Sequence, residues 1–282
     1  MAFTIGFTAE QKKRQAQSTA ETANAAANEI PAPRKSVVRV GFLGKRITLS
    51  YYNDLFDLHC GDKVYVEGKY EGVLGEVLEV NYNFKIKISD YKKVIAAVDT
   101  AVTGQQYMTD SHFITFEHAV LPVNKILLWF KPPRKEEEKI LSGSDDSFFR
   151  LDDLKNMRID SAAAERGCGY YSENRVRYVC LDGAHGYAIV EGGEAYEAEF
   201  EYRDGKISGL VCSCFCCNAC KHEFAAMLQL KELLDKIGKQ YSVQYEQSNY
   251  FAAVCKGTLF DFAMGGRENG GITLFEEKQA NG

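Results

Sequence analysis

The sequence predicts an α+β chain with two β-rich units: a small curled barrel-like unit near the N-terminus, and an antiparallel meander that ends in one amphipathic helix. Three observations lead there. The chain has 282 residues, a length that suits two compact units with flexible segments. Short β-prone runs broken by Gly, Asp and Asn crowd residues 36–88 and again 175–211. A helical-period apolar stripe follows the second set of runs.

Residues 1–35 carry Gln, Lys, Ala, Thr and Asn with few large apolar groups, and Pro31-Ala32-Pro33 closes the segment, so it reads as a flexible tail. From Ser36 the runs Val37 to Phe42, Arg46 to Tyr52, Lys63 to Val66, Gly72 to Val80 and Phe84 to Ile88 read as strands. Five strands this short do not make a stable flat sheet alone, so a curled barrel or sandwich is expected. The run Cys60-Gly-Asp-Lys-Val-Tyr-Val-Glu67, followed by Val73-Leu-Gly-Glu-Val77, resembles the turn-and-strand grammar of SH3-like barrels. Runs such as Val94 to Val102 and His112 to Val123 extend this unit to residue 130. Lys131-Pro-Pro-Arg-Lys-Glu-Glu-Glu-Lys139 and Ser142-Gly-Ser-Asp-Asp146 combine proline, dense charge and small residues, which places a charged linker over 131–150.

The second unit spans 151–240. Arg175 to Leu181, Tyr187 to Glu191, Glu194 to Tyr202 and Ile207 to Val211 read as four strands, divided by Asp182-Gly183, Gly192-Gly193 and Asp204-Gly205. In the third run Tyr196, Ala198, Phe200 and Tyr202 alternate with Glu197, Glu199 and Glu201, so one face is expected to pack and the other to be hydrated. A helix is expected from Lys221 to Ile237, with Ala226, Leu230, Leu233 and Ile237 along one stripe and Gly238 as its stop. Residues 241–282 read as a β-prone extension and polar tail.

Hydrophobic residues make up 45% and charged residues 26%, which is ordinary globular usage. No run of 18 apolar residues occurs, and Met1 to Ala25 lack the apolar core of a secretory signal, so no membrane and a cytoplasmic location are expected. The net charge of −5 argues against tight, sequence-blind DNA binding by the whole chain, though a local basic face could still bind.

Five of the nine cysteines, Cys212, Cys214, Cys216, Cys217 and Cys220, fall within nine residues, too close for most disulfide pairings among themselves. Such crowding favours metal. Cys212-Ser-Cys214 and Cys220-Lys-His222 offer four ligands in two close pairs, and Zn2+ takes thiolate and imidazole ligands in a tetrahedron. The first pair leaves the last strand of the meander. The second opens the helix, whose free N–H groups and positive dipole end favour thiolate charge. Cys217-x-x-Cys220 is itself an ordinary zinc pair, so a register that replaces Cys212 or Cys214 stands beside this one, as does a metal-free buried thiol cluster.

Arg166-Gly-x-x-Tyr170, Tyr171 and Val176, then a meander into Cys-x-Cys and Cys-x-His-x-x-Ala225, resemble the SWIM zinc finger over roughly residues 160–238. The resemblance implies Cys212, Cys214, Cys220 and His222 as the zinc ligands. It departs from the family at Phe215, where proline is frequent, and in a short spacer that contains Cys216 and Cys217. SWIM fingers are similar to parts found with Swi/Snf-type helicases, recombination factors and mutator-type transposases. The resemblance therefore implies a zinc-binding module that contacts DNA or a DNA-processing protein. Arg166, Arg175, Arg177 and Lys221 could line one side, with Tyr170 and Tyr171 either stacking on bases or packed in the core. The alternative is a protein-interaction adaptor in which zinc only staples the fold and the N-terminal barrel binds the partner.

The remaining candidates point to no chemistry. His59, His112, His118 and His185 stand singly in β-like context, and Cys168 and Cys180 read as small core residues. No phosphate loop, nucleophile elbow or His-Glu-x-x-His occurs, so neither an enzyme nor a small-molecule substrate is expected.

Overall fold

The structure is a computed structural model that describes residues 33–42, 44–134, 143, 148–214, 216, 218–264 and 272–275. The expected tail up to residue 32, most of the charged linker and the polar tail from 276 lie outside the described residues. What is described is a mixed α and β chain built on two mainly antiparallel sheets.

The first sheet comprises β1 (Ser36–Phe42), β2 (Ile47–Asn53), β3 (Lys63–Val66), β4 (Gly75–Asn81) and β5 (Val94–Val98), in the order β2-β1-β4-β3-β5. Val38, Val40, Tyr51, Val64, Val66, Val77 and Val94 pack together as its core. The sheet does not close into the expected barrel. Its edges β2 and β5 meet only at an isolated bridge between Tyr52 and Lys93, with the Tyr52 N–H donating to the Lys92 carbonyl at 2.9 Å. The run Phe84 to Ile88 forms no strand; it leads into a 3-10 turn, Ile88–Asp90.

The second sheet has nine strands. The expected meander is its centre: β9 (Val176–Asp182), β10 (His185–Glu191), β11 (Ala195–Arg203) and β12 (Lys206–Cys212) pair consecutively and antiparallel. Strands β6 (Gly104–Met108) and β7 (His112–Thr115) belong here too, joined through β13 (Tyr250–Cys255), while β8 (Phe148–Arg150) and β14 (Ile272–Phe275) lie at the edges. The expected division at 131–150 is therefore not a division between sheets. Strands on both sides of it complete one hydrogen-bonded ladder.

Helices cover both faces of this sheet. On one side α2 (Ser161–Ser172) and α3 (Lys221–Gln240) pack together, and α3 sets Ala226, Met227, Leu230, Leu233 and Ile237 against Val179, Ala188, Val190, Ala198 and Phe200. The two helices approach closely at Gly167, where a Cβ would lie 3.0 Å from the Lys221 carbonyl and 2.9 Å from the Phe224 ring. Helix α3 runs past Gly238 to Gln240, since packing of the preceding turns outweighs the roughly 1 kcal/mol penalty of one glycine.

On the other side α1 (Val123–Phe130) buries Ile126 and Trp129 against Tyr178, Cys180 and Ile189, together with Tyr65, Ala96 and Val98 of the first sheet. The indole N–H of Trp129 donates to the Asp99 carbonyl at 2.9 Å. The extension after α3 is only partly β: α4 (Ser242–Ser248) precedes β13, and α5 (Lys256–Leu259) follows it.

Candidate metal centre

The centre forms where the meander ends and α3 begins. Cys212 is the last residue of β12 and pairs with Ala198 of β11. The next residue, Ser213, donates its N–H to the Glu197 carbonyl at 2.8 Å, and its Oγ accepts from the Glu197 N–H at 2.9 Å. These two bonds hold the turn that carries Cys214. Cys220 is the N-cap of α3: its Sγ accepts from the Glu223 N–H at 3.4 Å, and the Glu223 carboxylate accepts from the Cys220 N–H at 2.8 Å. This capping box fixes the direction in which Cys220 and His222 project. The Cys-x-x-Glu spacing was its signal in the sequence, with sulfur in the place of the usual hydroxyl.

Cys212, Cys214, Cys220 and His222 come together with their ligand atoms all within 4.8 Å of one another, and they could hold a metal ion. Nδ1 of His222 lies 3.9 Å from Cys212 Sγ and 3.8 Å from Cys220 Sγ. Bonds of about 2.3 Å to sulfur and about 2.0 to 2.1 Å to nitrogen place tetrahedral ligands roughly 3.5 to 3.8 Å apart. The two His222 distances are within a few tenths of an ångström of that spacing, and a separation as wide as 4.8 Å would close by about 1 Å around an ion. Cys220 and His222 are buried, and Cys212 and Cys214 are half-buried. Among the described residues no other group of three or more His, Cys, Asp or Glu side chains gathers in this way.

The electrostatics fit a cation. Cys220 is pushed well up by its hydrogen bond with Cys212 and by burial, and Cys214 is pushed up to about 12 by burial and its neighbouring thiols. The His222 imidazole is pushed down to about 4 by burial and by the adjacent Lys221 charge. Protein alone thus keeps the Cys214 and Cys220 thiols protonated and the imidazole neutral, whereas a bound cation stabilises thiolates and uses the neutral imidazole as it stands. The buried Nε2 of His222 has no hydrogen-bond partner among the described residues, while Nδ1 faces the sulfurs. One ring nitrogen is therefore directed at the thiol group.

Two tyrosines frame His222. The Tyr196 ring is stacked on it with centroids 4.0 Å apart, and Tyr170 meets it edge-on at 5.4 Å. Gly192 makes room for all three, since a Cβ there would lie 2.9 Å from Tyr196 and 3.4 Å from His222 Nε2. The sequence does not show either tyrosine as a neighbour of the histidine, because the contacts cross between α2, β11 and α3.

The expected basic side is largely committed to other contacts. Arg175 pairs with Glu173 at 2.5 Å and Arg177 with Glu191 at 2.6 Å. Lys221 and Arg175 lie over the Tyr170 ring at 4.8 and 5.0 Å, while Arg166 is exposed. Tyr171 packs on the core and donates its hydroxyl to Glu232 at 2.8 Å.

The acidic row is not uniformly hydrated. Glu199 is exposed and Glu201 half-buried, but Glu197 is only 6% exposed and accepts from Lys131 at 3.0 Å, Arg134 at 2.7 Å and the Tyr187 hydroxyl at 2.8 Å. Alternation located the second face of the strand correctly. It could not reveal that α1 and the residues after it cover that face.

His59 and His185 are exposed, and His118 lies flat on Tyr250 with its Nε2 3.3 Å from Asp182. His112 is fully buried. Cys180 is buried as expected, but Cys168 lies on the exposed side of α2. Cys216 is exposed beside the centre, while Phe215 and Cys217, and with Cys217 the competing ligand register, lie outside the described residues. Among the described residues no helix is long and apolar enough to cross a membrane. No family model, curated protein or solved structure matches the chain.

Proposed function

We propose that Cys212, Cys214, Cys220 and His222 bind one zinc ion in a closed structural site of SWIM type, and that the chain works as a cytoplasmic binding module without catalytic activity. The observation that carries this reading is the meeting of four ligand atoms within 4.8 Å at the junction of β12 and α3. Three thiolates and an imidazole are a ligand set that suits zinc, and they leave no position for water or substrate. The ion would join the sheet to the helix that covers it, so its binding free energy becomes folding free energy.

The partner of the zinc module is better read as a protein than as nucleic acid. Arg175 and Arg177 are already neutralised by Glu173 and Glu191, and the chain carries −5 overall. Phosphate binding depends on cations that can replace counterions. A pull-down with nuclease-treated and untreated arms tests this: the zinc-dependent partner should survive nuclease, and loss of that same zinc-dependent partner with nuclease would restore the nucleic-acid reading for this site.

A further inference from the structure

We infer that one end of the first sheet binds single-stranded nucleic acid, through Lys45, Arg46, Lys69 and Lys92 with the apolar Ile47 and Leu49 beside them. Charge is unevenly distributed along the chain. Residues 33–98 hold eleven Lys and Arg against eight Asp and Glu, a net +3 in a chain of −5, so the rest carries −8. The field over the first sheet is opposite in sign to that of the remainder.

The cations are brought together by packing. Phe42, at the end of β1, stacks on Tyr70 with centroids 4.6 Å apart, which fixes the β1–β2 turn against the loop after β3. Lys45 from the turn and Lys69 from the loop then place their Nζ atoms 5.2 and 5.7 Å from the same Tyr70 ring centre. Arg46 follows Lys45 in the turn, and the stem of Lys92 packs at Gly68, its Cγ 3.3 Å from where a Cβ would stand. All four cations are exposed.

Among the described residues none of the four has a carboxylate within ion-pair distance, whereas Arg39, Lys63, Lys87 and Lys93 pair with Glu79, Glu76, Asp90 and Asp54. The carboxylates of the same loop are Glu67, which accepts from the Lys93 N–H at 3.1 Å, and Glu71. Like charges gathered without a direct ion pair repel one another in the free protein, and a polyphosphate relieves that repulsion.

The adjoining surface selects the single strand. Ile47 and Leu49 are 37% and 40% exposed at alternate positions of β2, where they pair with Phe42 and Val40 and so share one side of the sheet. Unpaired bases can bury their apolar faces against such aliphatic side chains, whereas a duplex keeps its base faces stacked inside.

Fluorescence anisotropy with a labelled oligothymidylate tests the site. Four phosphate contacts predict a log–log salt slope of about −3, so affinity should fall about 50-fold between about 50 and 200 mM salt. Lys45→Gln with Lys69→Gln should reduce the slope by about 1.4 while circular dichroism stays unchanged. Ile47→Ala with Leu49→Ala should weaken binding without changing the slope. A slope unaffected by the lysine pair, a duplex of the same sequence bound as tightly, or displacement by polyglutamate at equal charge would overturn the inference.

Discussion

The imidazole of His222 lies nearly parallel to the ring of Tyr196, with centroids 4.0 Å apart and planes at 16°. This stack, with the edge of Tyr170 against the same imidazole, fixes the plane of the ring whose Nδ1 lies toward the thiols. Residues that orient a ligand set metal affinity although they touch no metal. Tyr196→Ala should weaken zinc binding about 10- to 100-fold in a chelator competition. Tyr196→Phe keeps the stacked ring and should bind as the parent does. Equal affinity in all three proteins would show that the stack is only packing.

The capping box gives a second prediction. Glu223 accepts from the buried Cys220 N–H, and an alanine there leaves that donor unsatisfied. Glu223→Ala should cost about 1 to 2 kcal/mol in urea unfolding, and Glu223→Gln, which keeps an acceptor oxygen, should recover most of it. If glutamine is as destabilising as alanine, the carboxylate acts through its charge and not through the cap.

A third prediction concerns pH and lies away from the metal centre. His112 is fully buried, and burial pushes its imidazole down to about 4, against 6.5 when exposed. Its Nε2–H donates to the Val176 carbonyl at 2.9 Å, so Nδ1 accepts from the Ser111 hydroxyl at 2.8 Å. That neutral tautomer satisfies both ring nitrogens. The unfolded chain takes up a proton below pH 6.5 that the folded chain refuses until about 4, so stability falls as pH drops through this window, by about 3 kcal/mol from this group. Denaturant midpoints recorded from pH 7 to 4 should fall less steeply for His112→Gln than for the parent. Parallel curves would remove His112 from the acid response.

Glu197 supplies a fourth. Burial alone would raise its carboxyl pKa, but Tyr187, Lys131 and Arg134 outweigh burial and hold it below the usual carboxylate range. Lys131 and Arg134 are themselves partly exposed, which lowers what the pairs contribute. Glu197→Ala should cost about 2 to 3 kcal/mol, because it leaves Tyr187 and two cations without their common acceptor. Lys131→Ala or Arg134→Ala alone should cost less than half of that. A cost below about 0.5 kcal/mol for Glu197→Ala would place this face in solvent, as strand alternation alone suggested.

Local features were the legible ones. The four meander strands follow from alternation and from glycine-bearing turns, and α3 from its apolar stripe; both are patterns within a few residues. The four Cys and His positions were legible for the same reason. What joins elements far apart in sequence was not. Strand β13 pairs Ala252 with Thr115 and with Cys180, and nothing in the run Tyr250 to Cys255 says which strands will flank it. The sequence of helix α1 reads as the end of a β-rich unit because its apolar residues suit either state, and its choice depends on where Trp129 and Ile126 find a face to cover. The burial of Glu197 follows from that same covering segment.

X-ray absorption at the zinc edge on the protein as purified reads the ligand shell of the ion itself. One zinc per chain is expected, with three sulfur neighbours at about 2.3 Å and one nitrogen at about 2.0 to 2.1 Å. Absence of zinc, a shell of four sulfurs that would bring Cys216 or Cys217 into the site, or a coordinated water would contradict it.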